Sequence, residues 1–208
     1  MKKMHLAFTL ALILVFTAGC QGEPKSKVTI PKITQNEELL IDASGQYAKI
    51  FEIKAPGMSS MTINTEVWHR GQKVVDNVFN QGEMDEYKLV LAYWDEKNDK
   101  DENIGFNWRI LKEYNGIKLK SKTFTYSYPH GQVATGWSLN PDMKEDEKSF
   151  ELKPDSEYIL AGMNIDLDGK GISSFDLGEV KDGQRNINDE IKDQEAILIL
   201  RIKTGSAK

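Results

Sequence analysis

The sequence contains a single cysteine, Cys20, in 208 residues, so no disulfide can form within the chain. Histidine is also scarce. Beyond the first twenty residues only His69 and His130 remain, and neither has a second histidine at zinc-ligand spacing. No Gly-x-Ser-x-Gly elbow, P-loop or Gly-x-Gly-x-x-Gly motif occurs. We therefore predict no catalytic residue, no metal-ligand set and no cofactor.

Long hydrophobic stretches and an excess of positive charge are absent too. After Cys20 no apolar run approaches the roughly 20 residues that a membrane-spanning helix needs. Acidic residues outnumber basic ones by 32 to 27, which gives a formal net charge of −5. Because an acidic surface repels nucleic acids and anionic headgroups, this balance predicts no nucleic-acid partner and no lipid-binding face.

The first nineteen residues have the pattern of a secretory signal. Lys2-Lys3 precedes an uncharged apolar run over residues 6–16, and the small residues Thr17-Ala18-Gly19 follow that run. A positive start, a short apolar segment and a small-residue cleavage site are typical of a signal peptide. The pattern predicts a signal peptide over residues 1–19 and export of the rest of the chain.

The end of this segment, Ala18-Gly19-Cys20, resembles the lipobox of bacterial lipoproteins. Thr17 departs from the aliphatic residue that the family usually has at that position. The resemblance implies cleavage before Cys20 and a diacylglycerol group on its thiol, whose two acyl chains, such as palmitate, are enough for stable anchoring. Cys20 is therefore the predicted lipid-attachment site, which places the protein on the extracytoplasmic side of the cell membrane. The alternative is an ordinary secreted protein with a cysteine near its cleavage site.

The mature chain divides into a spacer and a folded part. Without residues 1–19 it keeps 25 basic and 32 acidic residues, a formal charge of −7. Lysine greatly outnumbers arginine, which by compositional association alone indicates a Gram-positive organism. Residues 20–38 are polar and aperiodic, so we predict a lipidated N-terminus and a flexible spacer there. Residues 39–208 suffice for one β-sandwich ectodomain or for two smaller β domains.

Strand patterns dominate the predicted ectodomain. Apolar residues occupy every second position over residues 61–67, which is typical of a half-buried strand. The other predicted strands cover residues 47–53, 87–94, 108–114, 159–165 and 196–202. Asn115-Gly116 favours a type I′ hairpin, and residues 69–72 and 129–132 are predicted turns. Short helices are predicted only over residues 74–79 and 188–194, and many strands with little helix favour a sandwich or barrel.

One motif specifies the type of sandwich. The sequence from Leu152 to Tyr158, Leu-Lys-Pro-Asp-Ser-Glu-Tyr, resembles the Leu-x-Pro-x-Thr-x-Tyr corner of fibronectin type III and related immunoglobulin-like domains. The resemblance implies a crossing between two sheets, with the ring of Tyr158 buried and its hydroxyl bonded to the corner backbone. We predict an all-β fold, an antiparallel β-sandwich of immunoglobulin-like type with insertions such as residues 170–195. The alternative is a simple turn before a strand.

The best metal candidate runs from Asn164 to Asp168, where oxygen-bearing side chains occupy alternate positions before Gly169. This spacing resembles the first half of a calcium loop, but Phe175 stands where an EF-hand needs a bidentate glutamate. Acidic residues before a tight turn are also common, so we favour no metal here. The acidic run over residues 98–103 is interpreted as a solvated hairpin loop.

Aromatic side chains offer a binding hypothesis. Phe124, Tyr126 and Tyr128 share one face of a strand, and small polar residues occupy the other. These rings belong to the core if the polar face points to solvent, and they form a flat platform for sugars or a protein if it does not. Trp68 shares a face with Asn64 and Glu66, so it is either exposed or caps the core.

Three functions remain open at this point. The leading hypothesis is a membrane-anchored, non-catalytic lipoprotein whose β-sandwich binds a cell-envelope protein or glycan. A surface hydrolase that uses paired acidic residues is one alternative, because 32 acidic residues allow many pairings. A calcium-stabilised structural module is the other. A cleft with paired carboxylates would favour the hydrolase, and an exposed aromatic patch would favour binding.

Overall fold

The computed structural model describes residues 25–33, 47–82, 86–114, 117–127, 134–139, 148–166 and 195–207. Within these ranges the chain forms eleven strands and no helix. In chain order the strands are β1 (Lys27–Thr29), β2 (Tyr47–Lys54), β3 (Met61–His69), β4 (Gln72–Gly82), β5 (Glu86–Lys97), β6 (Asn103–Tyr114), β7 (Ile117–Ser127), β8 (Ala134–Leu139), β9 (Ser149–Glu151), β10 (Glu157–Asp166) and β11 (Ala196–Thr204).

The strands form two antiparallel sheets that pack as a sandwich. One sheet has six strands in the order β7-β6-β5-β2-β1-β9, and the other has five in the order β4-β3-β11-β10-β8. The predicted all-β antiparallel sandwich is therefore confirmed. Its eleven described strands exceed the roughly seven to nine of immunoglobulin domains.

Alternating apolar residues from both sheets fill the space between them. On β5, for example, Leu89, Leu91 and Tyr93 are buried, and on β11 the same alternation places Leu198 and Leu200 inside. Aromatic side chains of the six-stranded sheet pack in a row along the core. The centre of the Trp108 ring lies 5.6 Å from that of Phe106 and 5.4 Å from that of Phe124. Burial of alternate side chains fixes each strand's register, since a one-residue shift would expose its whole apolar set.

Two sequence predictions about element type are wrong. Residues 74–79, predicted as a short helix, lie in strand β4, where Val74, Asp76 and Val78 are exposed and Phe79 is buried. The segment therefore has a period of two, and pairing with β3 overrides the weak helical signal. The flexible spacer predicted over residues 20–38 contains strand β1, whose Val28 is fully buried and pairs with Ile53 and Phe150. The second predicted helix, residues 188–194, lies outside the described residues.

The described residues agree with the hairpins predicted from the sequence. The turn between β3 and β4 contains Arg70 and Gly71, both with positive φ (47° and 74°), as in a type I′ turn. Tyr114 pairs with Ile117, so β6 and β7 form the hairpin predicted around Asn115-Gly116, whose own residues lie outside the described ranges. The solvated loop between β5 and β6 is closed by Asn98, whose Oδ1 accepts from the backbone N–H groups of Lys100 and Glu102. The turn predicted over residues 129–132 also lies outside the described residues.

The segment from Leu152 to Tyr158 crosses from one sheet to the other. It joins β9 of the six-stranded sheet to β10 of the five-stranded sheet. The backbone N–H of Lys153 donates to the Tyr158 hydroxyl at 2.8 Å, so the expected bond to the corner backbone is present. The ring of Tyr158 is only half-buried, against Phe150 at 5.3 Å between centroids, which corrects the expectation of a buried ring.

Candidate functional site: a charged groove on the outer sheet face

The aromatic side chains of β7 belong to the core, which is the first of the two alternatives for them, and they form no exposed platform. Phe124 is buried against Trp108, and Tyr126 packs beside Phe106 in the core. The opposite face of the strand, with Thr123 and Thr125, is exposed. The sandwich buries the larger apolar surface because burial of rings is favourable. Tyr128 lies outside the described residues.

Only the part of the calcium candidate from Asn164 to Asp166 lies within the described residues. Asn164 is buried within β10, and Asp166 is the last residue of that strand. Asp168 and Gly169 lie outside the described residues. In the part of the chain that the structure describes, no three His, Cys, Asp or Glu side chains are grouped to hold a metal ion. Cys20 and His130 also lie outside the described residues.

A groove of about 390 Å³ instead opens on the outer face of the five-stranded sheet. Strands β3, β4 and β11 form its floor, and the start of β10 borders it. Its lining residues are Thr62, Asn64, Glu66, Trp68, Lys73, Asp76, Val78, Glu157, Arg201 and Lys203. Most of these side chains are polar or charged, so the groove presents hydrogen-bonding groups on a rigid sheet. We call this surface the outer groove.

Glu66 is the centre of the outer groove. It lies on β3, and its side chain is only 4% exposed although it projects from the outer face of the sheet. The Arg201 guanidinium donates to Glu66 Oε2 at 3.1 Å, and the Trp68 indole N–H donates to the same oxygen at 2.9 Å. The Lys73 ammonium donates to Oε1 at 3.1 Å. A buried carboxylate needs such donors to remain charged.

These donors determine the protonation state of Glu66. Burial by itself would raise the pKa of this carboxyl, but the Trp68 hydrogen bond and the charges of Arg201 and Lys73 outweigh burial. The pKa of Glu66 is therefore lowered from its usual value of 4.5. Glu66 is thus an anion at neutral pH, in hydrogen-bonding contact with two cations and an indole.

The cations have second partners within the outer groove. Lys73 also donates to Asp76 Oδ2 at 2.9 Å, and Arg201 also donates to Glu157 Oε1. The hydrogen bond from Lys73 lowers the pKa of Asp76. Asn64 Nδ2 connects Glu66 and Asp76 by hydrogen bonds of 3.3 and 3.2 Å. Every carboxylate of the outer groove is therefore paired with a cation.

An apolar patch adjoins this polar network. Ile197 and Ile199 of β11 point to the outer face and are fully buried, and Trp68 and Ile159 pack against them. The Lys73 ammonium lies 5.4 Å from the centre of the Trp68 ring. Trp68 is thus outside the main core but is not fully exposed. Its ring packs against the two isoleucines, and its N–H donates to Glu66.

Lys203 is the remaining cation of the outer groove. Its side chain is exposed, and no ion pair of its ammonium occurs within the described residues. The groove therefore contains three cations and three carboxylates, one cation being unpaired, in a chain whose formal net charge is −5. The formal charges of the outer groove therefore cancel.

The geometry favours binding over acid–base chemistry at this site. A glycosidase of the common type needs one carboxyl group that is protonated near neutral pH, and such a group has a raised pKa. Glu66 and Asp76 have lowered pKa values instead, so both are ionised and act as hydrogen-bond acceptors. What the arrangement offers a ligand is a fixed set of polar groups beside an indole.

His69 lies at the other side of β3 from this groove and has a different role. Its Nδ1 and the Tyr126 hydroxyl are 2.8 Å apart, so this hydrogen bond links strand β3 of one sheet to β7 of the other. Burial raises the pKa of Tyr126, which keeps its phenol neutral. The contact is structural and does not join His69 to the outer groove.

Sequence reasoning missed Glu66 and Arg201 as members of a site. Asn64, Glu66 and Trp68 alternate along β3 opposite the buried residues Ile63, Thr65 and Val67, so their shared face was predictable. The partners Lys73 and Arg201 come from β4 and β11, and the pairing of those strands with β3 cannot be read from local patterns.

Comparisons with known proteins show little similarity. No known protein family has a model that matches the chain, and no solved structure matches it. The fiber protein of Human adenovirus D serotype 15 is 29% identical over 65 residues, which cover 31% of this chain and 18% of the fiber protein. The similarity thus spans less than a fifth of that protein's length.

Within the described residues, no helix has the length and apolarity to span a membrane.

Proposed function

We propose that this protein is a lipid-anchored extracytoplasmic lipoprotein whose β-sandwich binds a cell-envelope protein or glycan in the outer groove. The observation that carries the binding proposal is Glu66, a charged side chain that is 4% exposed and accepts hydrogen bonds from four donors at the floor of an open groove. The network fixes the position of the polar groups before any ligand arrives, and such preorganisation lowers the entropic cost of binding.

The anchor part of the proposal rests on the sequence of residues 1–20. Cys20 would carry the acyl chains, and the acidic mature chain would extend away from the anionic membrane surface. Replacing Cys20 with Ala is expected to release the protein from the membrane fraction, because acyl chains supply roughly 0.8 kcal/mol per buried methylene group. A Cys20→Ala protein that stays with membranes after a high-salt wash would contradict the anchor.

The corner between β9 and β10 supports a finer assignment of the sandwich. We propose that it is an immunoglobulin-like fold with additional strands, because the hydroxyl of Tyr158 bonds to the backbone of Lys153 at the crossing between sheets. Domains of this architecture frequently occur at cell surfaces. This assignment concerns architecture and does not by itself identify the ligand.

The binding proposal is tested by cross-linking and pull-down from intact cells. The wild-type protein is compared with Trp68→Ala, which removes an indole from the outer groove, and with Tyr114→Ala, which removes an exposed ring from the other sheet. We expect a captured envelope component with the wild type and with Tyr114→Ala, and a reduced yield with Trp68→Ala. Because Trp68 also covers Ile197 and Ile199, the variant's melting curve is measured in parallel. If a folded Trp68→Ala protein captures as much of the envelope component as the wild type does, the outer groove is not the binding site.

A further inference from the structure

The free charge of the outer groove is a single lysine. Glu66, Asp76 and Glu157 each have Arg201 or Lys73 as an ion-pair partner, and the formal charges of the groove cancel when Lys203 is included. Lys203 alone has no ion-pair partner within the described residues. A ligand that forms an ion pair with Lys203 must carry negative charge.

The rest of the lining favours a sugar over a peptide. Strand addition of a peptide needs a free backbone edge, but β3 and β11 at the floor of the outer groove are both paired on two sides, and of the floor strands only β4, at one side of the groove, has an unpaired edge in the described sheet. The apolar part of the lining is limited to Trp68 and Val78, so there is no row of pockets for apolar side chains. An indole beside fixed amide, ammonium and carboxylate groups suits the apolar face and hydroxyl groups of a sugar ring.

We propose that the outer groove binds an anionic oligosaccharide, with the charged group of the sugar paired to Lys203 and a sugar ring beside Trp68. This inference rests on the proposed binding function and narrows its ligand to acidic glycans. Carboxylate and phosphate groups share the required chemistry, and one exposed ion pair makes only a small contribution to affinity.

The experiment is calorimetric titration of the full chain, purified in detergent, at low and high salt. The probes are trigalacturonic acid, a phosphorylated trisaccharide, neutral galactotriose and a hexaglutamate peptide. We expect acidic trisaccharides to bind about two- to fivefold more tightly than galactotriose at low salt, as one exposed ion pair allows. High salt is expected to remove this preference because it screens exposed charges. Which acidic trisaccharide binds more tightly identifies the source of the charge.

Two variants that each remove one lysine charge make the test specific. Lys203→Met removes the charge but keeps most of the length of the side chain, and it should lose the preference for acidic over neutral sugar. Lys27→Met, an exposed strand lysine on the other sheet, should keep it. Equal binding of neutral and acidic sugars by the wild type, or a preference that survives in Lys203→Met, overturns the inference while leaving glycan binding in place. Tighter binding of hexaglutamate than of either acidic sugar also overturns it. Binding of no sugar at all contradicts glycan binding itself.

Discussion

Glu66 shows how a single side chain organises the outer groove. A carboxylate that is 4% exposed would be unfavourable without partners, and here Arg201, Lys73 and Trp68 supply them from β11, β4 and β3. Networks of this kind are weak sources of net stability, because desolvation offsets much of the attraction. Their removal is costly, however, since it leaves the remaining charges partly buried.

The first prediction concerns Glu66→Gln, which keeps the size of the side chain and removes its charge. Breaking a buried pair costs about 3–5 kcal/mol, and we expect about 2–3 kcal/mol here because Arg201 and Lys73 retain Glu157 and Asp76. Denaturant melts measure the change. The matched control is Glu52→Gln, whose carboxylate pairs with Lys88 at 3.7 Å at the surface and should cost less than about 0.5 kcal/mol. Equal costs for both variants would contradict the account of Glu66.

The second prediction is the pH dependence of this stabilisation. The pKa of Glu66 is lower in the folded chain than its ordinary value of 4.5, so the folded state favours the carboxylate. The contribution is fully present above about pH 4.5 and is lost as the pH falls through the folded pKa. The difference in unfolding free energy between wild type and Glu66→Gln should therefore shrink as the pH is lowered below that value. A difference that stays constant across this range would contradict the prediction.

The third prediction concerns the hydroxyl of Tyr158. Tyr158→Phe loses the hydrogen bond from Lys153, and we expect a cost of about 0.5–1.5 kcal/mol because the exposed Lys153 N–H can bond to water instead. Tyr158→Ala also loses packing against Phe150 and should cost about 2–3 kcal/mol, less than the about 3–5 kcal/mol of a fully buried ring. Tyr114→Phe, at an exposed position, is the control. A neutral Tyr158→Phe would leave the corner motif without an energetic role.

At the scale of elements, alternating and continuous apolar patterns in the sequence predicted most of the described strands but not their limits. Strand β3 shows strict alternation, so its apolar side was predictable from residues 61–67 alone. In β4 the adjacent Val74 and Val75 obscure the alternation, and only the pairing with β3 shows that Val74 and Val78 point outward. Strand β1 has three residues, too few for a periodic signal, and its burial depends on β2 and β9.

The fourth prediction tests the turn between β3 and β4. Gly71 has a φ of 74°, a conformation that disfavours side chains bearing a Cβ atom. Gly71→Ala is therefore expected to destabilise the fold by about 1 kcal/mol in denaturant melts. Gly57→Ala is the control, since an added Cβ there would contact nothing closer than Ser26 Oγ at 4.0 Å. If the two variants melt alike, the turn does not have the left-handed geometry described here.

At the scale of the whole molecule, buried polar contacts connect the two sheets. The Trp108 indole N–H donates to Thr65 Oγ1 at 3.1 Å, and the Tyr87 hydroxyl donates to Met61 Sδ at 2.9 Å. Both contacts join the six-stranded sheet to β3 of the five-stranded sheet. They fix how one sheet lies on the other, because a buried donor without an acceptor is unfavourable.

The fifth prediction follows from the contact between Trp108 and Thr65. Thr65→Val keeps the shape of the side chain but removes the acceptor, which leaves the Trp108 N–H buried without its partner. The expected cost is about 1–3 kcal/mol in denaturant melts. In Trp108→Phe the donor is gone, so adding Thr65→Val to that variant should cost less than it does in the wild type. Additive costs in the double variant would show that the two side chains do not interact.

Long-range pairing limits what the sequence could predict at this scale. The all-β class, the corner at Leu152 to Tyr158 and several hairpins follow from local patterns and turn residues. The outer groove does not, because Glu66, Lys73 and Arg201 come from three strands that are separated by up to 135 positions along the chain. Sheet order brings them together, and sheet order depends on the packing of the whole core.

The central claim is that the protein binds its envelope ligand through the outer groove. The most direct measurement is photo-cross-linking in intact cells, with a photoreactive side chain placed at one position at a time. Val78 is exposed and lines the outer groove, whereas Thr125 is exposed on the outer face of the six-stranded sheet. We predict an adduct with an envelope component from position 78 and none from position 125. An adduct from position 125 alone, equal adducts from both positions, or none from either would contradict the claim.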